Sequence, residues 1–144
     1  MQLMLTRWTV FSQVLAAYAV YEPCMYQPTE EKFRAKVCAY LRDDAVYVFV
    51  CTAAEEVVGM VVVRVAEGKA MEVLGIAAAE TARGQGIGTF MLRQAAEHCG
   101  AESVLAETDD DAVGFYRKCG FVITKLEKDY DGTTVTRYLC KWEK

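Results

Sequence analysis

Residues 80–100, ETARGQGIGTFMLRQAAEHCG, put Gly84, Gly86 and Gly88 directly after Arg83, where a helix begins. From Phe90 onward the spacing of Phe90, Met91, Gln94, Ala95 and His98 predicts one helical face, and Gly100 supplies a stop. Glycine is a poor helix former, and three so close together cost more than packing returns. The segment therefore reads as a place where bare backbone is required.

Composition narrows what that place serves. With 144 residues and no compositional break, the expectation is a single domain over residues 1–144 with a real core. Apolar residues make up 53% and charged residues 25%, ordinary for a compact chain. A net charge of −4 without a basic cluster argues against nucleic acid as a partner and leaves cationic substrates open. The six cysteines, Cys24, Cys38, Cys51, Cys99, Cys119 and Cys140, form no CxxC pair. With His98 the sole histidine, no metal spacing is present, and a cysteine nucleophile would have only that one histidine as a base. Scattered thiols, no run long enough to span a bilayer and a first segment broken by Arg7 and Gln13 together predict a cytoplasmic protein without membrane attachment.

Along the chain, residues 2–7 predict a strand, Thr9 a helix cap, and the helix runs to about Tyr21 before EPCMYQPT breaks it. Thr29 followed by Glu30 and Glu31 starts a second helix that buries Phe33, Val37 and Leu41. The period then changes to strands in VYVFVCT, EVVGMVVVRVA and AMEVLGIAAA, with AAEE and EGK as hairpin turns. The runs around Val48 and Val62 predict central antiparallel strands. After the glycine segment come the strand SVLAE, a helix in DDDAVGFYRKCG, and a hairpin turning at Asp131-Gly132. The order β-α-α-β-β-β-α-β-α-β-β predicts an α+β domain on a mixed, mostly antiparallel sheet of six to seven strands with about four helices.

A strand, a glycine-rich turn and a helix start make an anion site: the first amides of the helix are unpaired, and glycines let a phosphate reach them. A P-loop would need a lysine after Gly88, and a dinucleotide fold would need Gly-x-Gly-x-x-Gly directly after its strand. Neither pattern is met. Arg83-Gly84-Gln85-Gly86-Ile87-Gly88 instead matches Arg/Gln-x-x-Gly-x-Gly/Ala, and with the strand EVLGIAAA before it and DDDAVGFYRKCGF after it the chain resembles the GNAT superfamily of acyl-CoA-dependent N-acyltransferases. Residues 72–121 carry the resemblance most specifically, and the element order extends it over the chain.

That resemblance implies acetyl transfer from acetyl-CoA, with no metal, to a primary amine by direct attack. It also implies a sheet splayed where the cofactor enters. The pyrophosphate would lie on the amides of Gly84, Gln85, Gly86, Ile87, Gly88 and Thr89 with Arg83 alongside, and the pantetheine along Ile76, Ala77 and Ala78. Ala78 stands where valine is usual, and Glu80 where proline is usual. Strand alternation puts Glu72, Leu74, Ile76 and Ala78 on one face, making Glu72 a carboxylate beside apolar neighbours and the candidate base; some family members carry a catalytic glutamate there. A solvent-facing strand end near Lys69 is the alternative. Tyr116, at the margin of its helix's apolar stripe, is the candidate acid for the departing thiolate, with a phenol pKa near ~10. Asp109 replaces the family's asparagine; it either caps its helix or accepts a pantetheine amide.

The resemblance also implies that the acceptor, a small molecule or a protein or peptide amine, enters between YEPCMYQPT and EKDYDGTT. Glu22, Tyr26, Glu127, Asp129, Tyr130 and Asp131 make that region acidic and aromatic. A catalytically silent acyl-CoA-binding sensor of the same fold is the competing function. A monomer and a homodimer both fit the sequence.

Overall fold

The computed structural model describes residues 2–8 and 14–144; the Thr9 cap lies outside the described residues. Among the described residues seven strands form one sheet, in the order β1-β2-β3-β4-β5-β7-β6. They are β1 (Leu3–Arg7), β2 (Val46–Ala53), β3 (Glu56–Ala66), β4 (Ala70–Ala78), β5 (Ser103–Thr108), β6 (Val122–Tyr130) and β7 (Thr133–Glu143). Among the described residues four α-helices complete it: α1 (Val14–Tyr21), α2 (Glu30–Leu41), α3 (Ile87–Cys99) and α4 (Val113–Lys118). Every neighbouring pair is antiparallel except β4–β5. Val48 and Val62 face each other across β2–β3, as the two apolar runs predict.

Local chemistry explains the punctuation. Thr29 caps α2, its hydroxyl accepting from the Lys32 N–H at 3.1 Å, while Glu30 and Glu31 sit at the positive end of the helix. Asp131 and Gly132 both have positive φ (48° and 83°), which a two-residue hairpin with the right twist requires, and Tyr130 pairs with Thr133 across it.

Two cores form, one on each face of the sheet. On one face α1 and α2 cover β2, β3 and the end of β4, burying Tyr21, Phe33, Val37, Val48, Met60 and Val62. On the other, α3 and α4 bury Phe49, Val61, Met71, Met91, Tyr116 and Phe121. Each fully buried aliphatic side chain contributes roughly 1.5–3 kcal/mol, so both faces anchor the sheet firmly. The buried stripe of α3 is Ile87, Met91, Leu92 and Ala95. It is rotated from the expected one: Phe90 and Gln94 are half-buried, and His98 is exposed, its ring edge-on to Tyr47 and Phe49. Met91 and Ala95 keep their expected places, and Met91 packs closely on β3, where a Cβ on Gly59 would lie 2.7 Å from its Sδ. All six cysteines are free, and burial pushes the Cys51 thiol up to about 11. No described helix is long and apolar enough to cross a membrane.

Candidate active site

The β4–β5 ladder is short. It pairs Ala70 with Ser103, Met71 with Val104 and Glu72 with Leu105, and then stops, although β4 runs on to Ala78 and β5 to Thr108. Beyond Glu72, β4 stays bound to β3 as far as Gly59–Ala78, and β5 to β7 as far as Thr108–Tyr138. A wedge therefore opens between two intact half-sheets, with Glu72 and Leu105 at its apex.

The free edge of β4 offers backbone groups. The Ile76 carbonyl accepts a hydrogen bond from the Cys24 thiol at 3.2 Å, so it turns away from β3 and into the wedge. In a strand the N–H and C=O of one residue point the same way and alternate along the chain, so Ile76 and Ala78 present both groups to the wedge. Ala79, whose N–H donates to the Val58 carbonyl at 2.8 Å, faces β3 instead, and Ala77 follows Ala79. The side chain of Ala77 packs into the α1–α2 core. Of the three residues expected along the pantetheine, Ala77 thus brings neither backbone nor side chain to the wedge.

A bulge changes the faces of β4. Val62 pairs with Gly75 and Val63 with Val73, leaving Leu74 as the extra residue. Leu74 packs in the α1–α2 core, while Ile76 and Ala78 pack in the α3–α4 core. Glu72 shares Leu74's face and is exposed, so the expected single face of Glu72, Leu74, Ile76 and Ala78 does not exist. The reason is the unread bulge: one added residue inverts the alternation after it. Lys69 is not the partner of Glu72; it pairs with Glu102 at 3.8 Å. Arg64, opposite Glu72 on β3, holds Asp43 at 3.0 Å.

Tyr21 at the end of α1 completes this face. A Cβ on Gly75 would lie 1.8 Å from the Tyr21 hydroxyl, so only glycine admits the phenol there. Burial pushes the Tyr21 pKa well above its usual value, with Tyr40 and Cys24 adding to it. The short 3-10 turn that follows, Glu22–Cys24, delivers Cys24 to the wedge. Burial raises that thiol's pKa, and the Ile76 hydrogen bond, Arg83 and Lys36 oppose it.

After β4, the turn Glu80–Ala82 leads to Arg83, which is exposed, and to the glycines. Gly84 and Gly86 have φ of 80° and 75°, left-handed backbone that other side chains enter with strain. Among the described residues no backbone carbonyl accepts from the N–H of Gly84, Gln85 or Gly86. The first α-helical bond is Phe90 N–H to the Gly86 carbonyl at 2.9 Å, so the amides of Ile87, Gly88 and Thr89 lie ahead of the helix's own ladder. No side chain caps this helix. Gly88 has a different reason to be bare: a Cβ there would lie 2.7 Å from Phe115 Cε1. Ile87 is buried, and the Thr89 hydroxyl lies 3.5 Å from Cys119 Sγ beside a cleft of about 200 Å³ bounded by α3, Cys119, Phe121 and Trp142.

Asp109 accepts from the N–H groups of Asp111 and Ala112 at 3.1 Å, ordering the turn ahead of α4. Asp110 accepts from the Tyr138 hydroxyl at 2.6 Å and ties that turn to β7. Tyr116 is 4% exposed and stacks edge-on with Phe115 and Phe121. It lies in the core rather than at its margin, because α4 is a single short helix pressed onto β6 and β7. Burial raises its pKa above the ordinary phenol value, with Cys140, Cys24 and Cys119 adding to the shift. Glu107, the other carboxylate of the wedge wall, is pinned by Lys128 and by Arg137 at 3.4 Å, and these hold its pKa below the usual carboxylate value.

The sequence gives no sign of the reach of Cys24 across 52 positions to Ile76, since that contact is tertiary. Gly75 did carry a readable signal: an isolated glycine inside a strand marks a bulge or a close approach, and here it marks both.

Residues 14–121 match the model of the acetyltransferase (GNAT) family. Among solved structures, the chain is similar to an IAA acetyltransferase from Bacillus cereus (21% identity, 99% of each chain covered, TM-score 0.66). It is similar to a Bacillus subtilis acetyltransferase in complex with CoA (17% identity, 99% of each chain, TM-score 0.69). The ribosomal-protein-S18-alanine N-acetyltransferase of Escherichia coli is a third (14% identity, 99% of this chain and 94% of that one, TM-score 0.71). No curated protein matches the sequence.

Proposed function

We propose that this chain, which belongs to the GNAT acetyltransferase family, moves an acetyl group from acetyl-CoA to a primary amine by direct attack within a ternary complex. One observation carries the reading: the β4–β5 ladder ends at Glu72–Leu105 and leaves the backbone of Ile76 and Ala78 without a strand partner on that side, the Cys24 thiol alone reaching the Ile76 carbonyl, beside a run of amides over residues 84–89 that no backbone carbonyl takes. The amides and the helix dipole suit a pyrophosphate, and Arg83 adds a cation beside it. The strand edge suits an arm that carries amides of its own.

The two faces divide the chemistry. Glu72 lies at the apex on the α1–α2 face, and Tyr116 comes from the α3–α4 side. An amine arriving from the first face would lose its proton to Glu72, through water, as it attacks the thioester carbon. The N–H groups of Ile76 and Ala78 are the donors available to the developing oxyanion. As the carbon–sulfur bond breaks, the thiolate leaves on the side of Tyr116. That phenol is held protonated by burial, so it serves as a donor at neutral pH. Its raised pKa makes full proton transfer harder than an unperturbed phenol would. Cys24 must release the Ile76 carbonyl when the substrate arm takes it. Asp109, occupied as a cap, has acceptor capacity left for a pantetheine amide hydrogen.

The acceptor is a primary amine, on a small molecule or a protein. Glu22, Asp129 and Asp131 with exposed Tyr26 and Tyr130 suit a cationic one. A panel of amines incubated with acetyl-CoA, read by release of free thiol, tests the proposal. Turnover with at least one cationic amine is expected. Acetyl-CoA binding without turnover on any of them would leave a silent binding module, and failure to bind acetyl-CoA would remove the proposal altogether.

A further inference from the structure

One edge of the sheet is long and uninterrupted. β6 (Val122–Tyr130) pairs only with β7, and its outer edge is nine residues long with no proline, glycine or register shift. Such an edge is a template for another strand unless something blunts it. Of the six large exposed hydrophobics among the described residues, four (Val122, Tyr130, Val135 and Leu139) belong to this hairpin. The pairing register puts all four on one face, the face that α1 and α2 cover only as far as β4. The lysine on that face of the edge, Lys128, is turned inward to Glu107.

We propose that β6 pairs with β6 of a second copy of this chain, antiparallel about a two-fold axis at Leu126, to give a symmetric dimer with a continuous sheet. The charge order of the strand selects both occupant and register. With Leu126 opposite its own copy, Lys125 faces Glu127 twice, Val122 faces Tyr130 twice, and Thr124 faces Lys128. Sliding by two residues puts Glu127 against Glu127, and sliding the other way puts Lys125 against Lys125. Like charges directly opposite destabilise a pair, so the Lys125–Lys125 register is disfavoured outright, while the Glu127–Glu127 register sets that repulsion against its two Lys125–Asp129 pairs. A slip that exchanged the faces would break the two-fold. The strand at the other edge, β1, has only five residues, and a β1–β6 contact between copies would not close on itself.

Light scattering across a concentration series, with circular dichroism as the control for folding, tests this. The full chain is expected to dimerise. Lys125→Glu and Glu127→Lys should each weaken the dimer about tenfold or more, since each turns two attractive pairs into repulsive ones. The double variant Lys125→Glu/Glu127→Lys should restore it, and salt should shrink the defects of the single variants. Leu126→Cys places two thiols at roughly 4.5–5.5 Å between Cα atoms, within reach of a disulfide. Oxidation should give a covalent dimer that the parent chain does not form. A chain that stays monomeric, a dimer indifferent to both charge reversals, or efficient cross-linking by Met4→Cys on β1 in place of Leu126→Cys would overturn the proposal.

Discussion

Glu72 and Tyr116 stand on opposite faces of one wedge, so substitution can separate the two proton transfers proposed for them. Glu72→Gln should lower the rate by roughly 10²-fold at low pH, where the amine is protonated, and by less as free amine accumulates. The pH profile of kcat/KM checks this; an equal defect at every pH would move the base to a water chain, because Glu107 is neutralised by Lys128 and Arg137. Tyr116→Phe should lower kcat by a similar factor and leave acetyl-CoA affinity nearly unchanged, since only a donor is lost. Normal turnover by that variant would make Tyr116 a packing residue. The types and positions of both residues were legible in the sequence, but not their surroundings. The separation of Glu72 from Ile76 and Ala78 and the burial of Tyr116 arise from a bulge and from helix docking, which strand and helix periodicity do not report.

Two glycines, one in β4 and one in α3, set how closely the site's elements approach. Gly88→Ala should destabilise the protein by about 1–3 kcal/mol, because its Cβ would press on Phe115. Adding Phe115→Ala should recover part of that loss, and a double-mutant cycle by denaturant melting measures the coupling. Gly86→Ala meets no neighbour within 4 Å, so its cost is backbone strain alone and no partner substitution should relieve it. The elements themselves were largely legible: their order, the Thr29 cap and the Asp131-Gly132 turn follow from local chemistry. The full buried stripe of α3 was not, since which of its residues are covered depends on the elements it docks against, among them Gly59 of β3 beneath Met91. The role of Gly88 was hidden for the same reason, as Phe115 belongs to a helix formed later in the chain.

Across the molecule, each of the two cores holds a buried phenol, Tyr21 on one face and Tyr116 on the other. Burial raises both pKa values above that of an unfolded tyrosine, near ~10. The stability this reflects is complete below pH ~10 and is lost as pH rises through the folded values, where the unfolded chain ionises and the folded chain resists. In an alkaline titration followed by phenolate absorbance, these two should ionise last and together with unfolding. Early, reversible ionisation of all eight tyrosines would contradict that. The sheet joining the cores is seven strands wide but is held at its middle by three residue pairs, Ala70–Ser103 to Glu72–Leu105. In mechanical language it is a plate with a notch, and a notch gathers deformation at its tip. The tip here is the residue proposed to take the proton. A substrate arm whose amides bridge the notch would splice the plate, so the molecule being consumed would also brace the geometry that consumes it. Each product release would then return the tip to its compliant state.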